Sequence, residues 1–207
     1  MKENQIGFLL RASTSGCVAG CRVASLELPK LGGMVTIQPS NDLIIFGLIY
    51  DMHIDDDGLV RQLVTTENIK PEVIEDNRNN RTVPVEISIV FVGYQQKEQL
   101  FHLLPPRPPL TLDEVLLCED QMLCDFTSLG RFGYFRHILR GQDLPIAELL
   151  ASHLKLASRA HQERGNQAWI NAAVQELIIL LRDDYSTLMN VLGALADAKL
   201  TQKENQV

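Results

Sequence analysis

The stretch VPVEISIVFVGY, which spans residues 83–94, decides the fold of this chain. Its apolar side chains at positions 83, 85, 87, 89 and 91 alternate with Pro84, Glu86 and Ser88. Successive side chains of a β-strand point to opposite faces of a sheet, so this period of two separates an apolar face from a polar one. The stretch therefore predicts a strand that contributes one face to a hydrophobic core.

Five shorter segments closer to the N-terminus are also typical of strands, and turn signals lie between them. The predicted strands span residues 6–12, 18–28, 34–38, 43–50 and 59–65. The turn signals are Gly32-Gly33, Asn41-Asp42, Asp57-Gly58 and residues 77–80. About six antiparallel strands in roughly 90 residues leave sheet edges, and a closed barrel removes such edges. We therefore expect a small, closed antiparallel β-barrel.

The two halves of the chain differ in composition. Residues 1–104 contain 25 Val, Ile or Thr and only 3 Ala, whereas residues 105–207 contain 13 and 10 respectively. β-Branched side chains favour strands, and alanine has the highest helix propensity. We therefore predict an α+β fold, with an N-terminal barrel over residues 1–104 followed by a C-terminal α-helical region.

A proline-rich run, Pro105-Pro106-Arg107-Pro108-Pro109, separates the two halves. Proline fixes its own φ and pushes the preceding residue toward extended geometry, so we predict a stiff linker over residues 105–118. The same run could be a ligand for an aromatic-lined groove of another protein. These five residues are therefore candidate contacts with a partner.

Residues 119–200 are predicted to form a helical domain, and residues 201–207 a frayed tail. Two short helices are predicted over residues 119–126 and 132–140. We expect Asp143 to cap a longer helix that has Pro145 in its first turn and ends at Gly165. A second long helix carries Trp169, Ala173, Leu177 and Leu180 on one face, and a third begins at Asp183 or Asp184. Short links between these helices favour antiparallel packing.

The composition bounds the function classes. The 207 residues include 19 Lys and Arg against 26 Asp and Glu, a net charge of −7, and both halves are acidic. Direct nucleic-acid binding is therefore not expected, although a local basic patch can exist on an acidic protein. The chain shows neither a signal peptide nor an apolar run of about 18 residues, so we expect no membrane contact and a cytoplasmic location. The four cysteines lack zinc-site spacing and are interpreted as buried thiols.

Motifs for catalysis and cofactor binding are absent or incomplete. Neither the phosphate-binding loop G-x-x-x-x-G-K-[ST] nor G-x-G-x-x-G occurs. The run Asp55-Asp56-Asp57-Gly58 lacks two key calcium ligands of an EF-hand, and is interpreted as a turn. Residues 152–155 match S-x-x-K, but are interpreted as a solvent-facing helix edge. The five histidines are taken as surface or partly buried residues. We therefore predict no enzyme activity, no cofactor and no metal.

Three glycine-containing segments resemble a known family. The segments IGFLL (residues 6–10), LGGMV (31–35) and IFGLI (45–49) resemble the HAS-barrel, which begins HerA-type DNA-translocating ATPases and the catalytic-head subunits of ATP synthase. Residues 105–115 also resemble the proline-rich exit from the barrel in HerA-like proteins. The motor domain of that family and its phosphate loop are not present, so no catalytic residue carries over. The resemblance implies a role in assembly, through ring-forming contacts or docking of a partner such as a NurA-type nuclease.

Two hypotheses follow. The first is a non-enzymatic assembly or adaptor protein whose partner is a second copy of the chain or another protein, such as a HerA-type ATPase or a nuclease. It predicts an exposed apolar patch on the leucine-rich helices. The alternative is a small-molecule-binding module or enzyme with a pocket in the barrel or at the barrel–helix junction, around His53, Arg81 or His102.

Overall fold

The structure is a computed structural model that describes residues 4–23, 29–54, 65, 70–72 and 83–200. The strands are β1 (Gln5–Ala12), β2 (Gly16–Val23), β3 (Met34–Ser40), β4 (Leu43–Ile54), β5 (Val83–Gln96), β6 (Gln99–Phe101) and β7 (Glu114–Leu117). The helices are α1 (Asp120–Ser128), α2 (Phe135–Leu139), α3 (Ile146–Glu163), α4 (Trp169–Leu180) and α5 (Tyr185–Asp197).

Six of the strands close into a barrel. The neighbours run in the order β2-β1-β7-β3-β4-β5, and β5 pairs back onto β2, with every pairing antiparallel. The seventh strand, β6, forms a hairpin with the end of β5 outside this closure. The prediction of an α+β fold with a closed antiparallel barrel is confirmed.

The sixth strand of the barrel differs from the one that the sequence suggests. The predicted strand at 59–65 falls outside the described residues except for Thr65, which is helical. The barrel is instead completed by β7, which lies in the range assigned to the linker and pairs with both β1 and β3. Val115 of β7 is fully buried in the barrel, and a turn in which the Asp113 carboxylate accepts from Leu110 N–H (2.8 Å) precedes it. The proline-rich run therefore leads into a barrel strand.

The alternation in β5 has the predicted effect. Its side chains at 85, 87, 89 and 91 lie in the barrel interior, whereas Val90 and Val92 face the helices. Other interior residues come from β1, β2, β3, β4 and β7, and they include Leu9, Ala19, Val35, Ile37, Ile45, Ile49 and Val115. The barrel is therefore filled by side chains, as is usual for a barrel of this size.

The helices pack against the outside of the barrel. Phe46, on the outer face of β4, stacks on Phe126 of α1 with ring centroids 4.4 Å apart. The long helix α3 contacts α1, α2, α4 and α5, and α2 lies on β5. Outward-facing barrel residues and the apolar helix faces form one buried cluster, so the two parts share a core.

The turn before β3 brings α3 close to the barrel. Gly32 has a φ of +75°, a conformation that favours glycine. A Cβ atom at Gly32 would also overlap the backbone of Ser152 and His153 in α3. Glycine at this position therefore permits both the turn and the close approach of the helix.

Two of the predicted helix boundaries are confirmed, at Asp184 and Gly165, and one is wrong. Asp184 caps α5, where its carboxylate accepts from Thr187 N–H (3.1 Å), and Gly165 follows the end of α3 with φ +81°. The predicted cap at Asp143 is wrong, because α3 begins at Ile146 with Pro145 at its N-cap. Proline pushes the residue before it out of helical geometry, so Leu144 cannot belong to the helix and Asp143 cannot cap it. Among the described residues, no helix has both the length and the hydrophobicity needed to cross a membrane.

Candidate functional site

A cleft of about 810 Å³ lies where the barrel meets the helices. One wall is the β1–β2 hairpin, around residues 11–18, and the opposite wall is α2 with the loop that follows it, residues 136–144. Its floor is formed by β4 and β5, near Tyr50 and Val90. The cleft is thus built from segments that are far apart in the chain.

The cleft is cationic, although the chain as a whole is acidic. Arg11, Arg136 and Arg140 line it together with His137, and no Asp or Glu is among the described residues that line it. Like charges placed together this way favour an anionic ligand, because each guanidinium presents donors that match carboxylate or phosphate oxygens.

The helical wall is fixed by apolar anchors. Phe135 and Ile138 of α2 are fully buried, which directs Arg136 and Arg140 to another face, one turn apart. The guanidinium of Arg136 donates to the backbone carbonyl of His102 and is thereby held in place. Arg140 is exposed, and its side chain makes no hydrogen bond or ion pair with any residue that the structure describes. It is therefore available to a ligand.

His137 contributes a neutral imidazole near pH 7. Burial lowers the pKa of His137 below 6.5, and the charges of Arg136 and Arg140 lower it further, against the opposing effect of a hydrogen bond. In that bond, Nε2–H donates to the carbonyl of His102 at 3.1 Å. At neutral pH the positive charge of the cleft therefore comes from its arginines.

The hairpin wall is rigid. The Ser13 hydroxyl accepts from the backbone N–H groups of Ser15 and Gly16, both at 3.2 Å. The carbonyl of Ser15 accepts from Phe91 N–H at 2.9 Å, which fastens the turn to β5. Arg11, at the edge of this wall, forms an exposed ion pair with Glu86 at 3.1 Å. Such an exposed pair contributes little energy, so an anionic ligand can replace the carboxylate.

The floor of the cleft is apolar. Tyr50, Val90 and Leu144 are half-buried there, and Leu104 is 43% exposed. Cys17 also borders the cleft, and burial raises the pKa of its thiol to about 12. The thiol is therefore protonated near pH 7 and is a poor nucleophile.

The residues that sequence reasoning suggested for a junction pocket are not the ones that line this cleft. His53 is exposed on β4, and Arg81 lies outside the described residues. The ring of His102 is buried behind the helical wall, where Nε2–H donates to the Phe126 carbonyl at 3.0 Å. Sequence reasoning missed Arg11, Arg136 and Arg140.

The proline-rich run lies against the protein. Pro105 and Pro109 are buried, whereas Pro106, Arg107 and Pro108 are exposed. Arg107 donates from Nη2 to the Ser40 hydroxyl at 3.3 Å. A partner can therefore reach only the three central residues of the run.

The predicted solvent-facing edge at residues 152–155 is wrong for two residues, because His153 and Leu154 are both fully buried. His153 is fully buried, where Nδ1–H donates to the Gly32 carbonyl (3.2 Å) and Nε2 accepts from the Tyr134 hydroxyl (3.0 Å). Burial lowers the pKa of His153 to about 4. His161 is also buried, stacked on Trp169 with centroids 4.4 Å apart. Both histidines are structural.

Two groups of large apolar side chains are exposed. Phe8 and Leu10 on β1 are 44% and 46% exposed, and Leu110 and Leu112 in the segment before β7 are 71% and 72% exposed. We call these four residues the barrel patch, since a backbone hydrogen bond from Leu112 N–H to the Leu9 carbonyl (2.9 Å) joins the segment before β7 to β1. A second group on α4 and α5 comprises Ile179, Leu180, Tyr185 and Met189.

The fold and the cleft thus define a small β-barrel protein with packed helices and a cationic cleft at their junction. No family model matches the chain, and a search of curated proteins finds no match. Within the described ranges, no group of three His, Cys, Asp or Glu side chains is arranged to hold a metal ion.

Proposed function

We propose that this protein is a binding module for an anionic small molecule, which occupies the cleft at the barrel–helix junction. The observation that supports the proposal is that Arg11, Arg136 and Arg140 line one cleft, and that none of the described residues lining it carries a carboxylate. A bound anion compensates the positive charge of these arginines. The volume of about 810 Å³ is within the range of small-molecule sites.

The lining groups favour binding over bond cleavage. The Cys17 thiol is protonated near pH 7, because its pKa is about 12. The Ser13 hydroxyl is engaged with the backbone of its own turn. Neither group is paired with a base among the residues that the structure describes, so we propose recognition without chemistry.

The test is a thermal-shift comparison of anions at matched ionic strength. Pyrophosphate, phosphate and citrate should raise the melting temperature above the value in chloride. Arg140→Gln should remove most of that increase, because a charge-assisted hydrogen bond contributes about tenfold in affinity or more.

Arg182→Gln is the matched control, since Arg182 is an exposed arginine that does not line the cleft. This variant loses the same charge and should respond to anions as the wild type does. If both variants lose the response equally, or if no anion raises the melting temperature, the proposal fails.

A second candidate function is assembly, with a second copy of the chain on the barrel patch. It is favoured by the exposure of Phe8, Leu10, Leu110 and Leu112 on neighbouring segments of the barrel wall. The resemblance of the glycine segments to the HAS-barrel, whose role is ring formation and docking, also supports this candidate. The resemblance also implies a different partner for the barrel patch, a HerA-type ATPase or a nuclease.

Mass measurement by light scattering tests the second candidate. The wild-type chain should form a defined oligomer, and Leu110→Glu should shift it to the monomer, because a charge in a buried apolar contact is costly. Leu129→Glu changes an exposed leucine elsewhere and should leave the oligomer intact. A wild-type protein that is monomeric across micromolar concentrations would exclude self-assembly.

A further inference from the structure

The charge of the cleft indicates how many negative charges its ligand carries. Three guanidinium groups line the cleft, and Glu86 offsets part of the charge of Arg11 from outside it. A ligand with a single negative charge would leave at least one guanidinium uncompensated. A phosphate monoester carries about −1.5 to −2 at pH 7 and has three acceptor oxygens, so it matches the arginines better than a monocarboxylate does.

The size and floor of the cleft indicate that the ligand also has an apolar part. The cleft of about 810 Å³ has room for a larger molecule than a phosphate ion. Tyr50, Leu104 and Leu144 line the same cleft as the three arginines and give it apolar surface. The cleft therefore offers a ligand both cationic and apolar surface.

We propose that the cleft binds an organic phosphate monoester, with the phosphoryl group among Arg11, Arg136 and Arg140 and an apolar or aromatic body against Leu104 and Leu144. This inference rests on the proposed function, because it names the ligand class of the same site. The two walls come from the barrel and from the helical region, so the phosphoryl group bridges both. The ester body then covers the apolar floor and excludes water from it.

Calorimetric titration with three probes tests the proposal. Phenyl phosphate carries both the phosphoryl group and the ring, inorganic phosphate carries only the charge, and benzoate combines the ring with a single charge. At pH 7.5 and constant ionic strength, phenyl phosphate should bind about tenfold more tightly than either of the others, because ring burial adds to the ion pairing.

Two variants assign the two parts of the ligand to the two parts of the cleft. Arg140→Gln should weaken the binding of phenyl phosphate and of inorganic phosphate by a similar factor, about tenfold. Leu104→Ser should weaken only the binding of phenyl phosphate, by a few fold. Leu129→Ser should change the affinity for neither probe. Arg140, Leu104 and Leu129 are all exposed, so the variants should fold, which circular dichroism can verify.

The outcomes separate this inference from the proposed function. If inorganic phosphate or benzoate binds as tightly as phenyl phosphate, the organic phosphate is excluded while an anion site stands. If no probe binds and Arg140→Gln changes nothing, both the inference and the anion-binding function are overturned.

Discussion

At the scale of single residues, His153 links the barrel to the helices. Its Nδ1–H donates to the Gly32 carbonyl, so Nε2 is the unprotonated nitrogen that accepts from the Tyr134 hydroxyl. The ring is fully buried, and a second proton would place an uncompensated charge there. This is the physical reason that its pKa falls to about 4.

The depressed pKa predicts a loss of stability in acid. The unfolded chain takes up this proton below pH 6.5, whereas the folded protein takes it up only below about pH 4. The free energy of unfolding should therefore fall as the pH is lowered from 6.5 to 4, by up to about 3 kcal/mol. Urea denaturation at pH 7.5 and pH 4.5 measures this difference.

His153→Gln is the matching variant, because it removes the titrating group from the same position. Its free energy of unfolding should depend less on pH than that of the wild type. A weaker dependence of the free energy of unfolding on pH should remain in the variant, since burial also lowers the pKa values of His102 and His161. An unchanged slope in the variant would show that His153 does not titrate in this way.

At the scale of elements, the turn at Gly32 is the point where α3 meets the barrel. Gly32→Ala should destabilise the protein in two ways, because φ is +75° and the new Cβ would overlap the backbone of α3. Gly165→Ala is a matched control, since Gly165 has φ +81° but no atom within 4 Å of the position of a Cβ. The free energy of unfolding of Gly165→Ala should fall by only about 1 kcal/mol, because of backbone strain.

Urea denaturation of both variants isolates the contribution of the docking contact. The free energy of unfolding should fall by at least about 2 kcal/mol more in Gly32→Ala than in Gly165→Ala. The reason is that the backbone of a helix cannot move aside as a flexible side chain can. Equal losses would mean that α3 moves away from the turn without cost, and that the contact is not important for stability.

The same elements show which features the sequence could predict. The period of two in β5 is long enough to be read directly, and Asp184 is followed by residues that can enter a helix at once. The four residues of β7 are too few to show a period, and the prolines before them indicate a linker. Asp143 has the right side chain for a cap, but Pro145 delays the start of α3.

At the scale of the whole molecule, the cleft exists only because the chain folds back on itself. The i,i+4 spacing of Arg136 and Arg140 can be read on a predicted helix. The sequence pattern does not indicate that Arg11 lines the same cleft as these two residues. That arrangement depends on β2 pairing with β5 and on α2 lying against the same strand. In addition, the net charge of −7 gives no indication that one part of the surface is cationic.

The position of a bound anion tests the account most directly. In an amide-resolved NMR titration with pyrophosphate, the largest shift changes should fall in two segments, residues 11–18 and 136–144, which are the two walls of the cleft. The changes in both segments should follow one binding curve and disappear in Arg140→Gln. Changes spread over the surface, or confined to one wall, would contradict an anion site at the junction of the barrel and the helices.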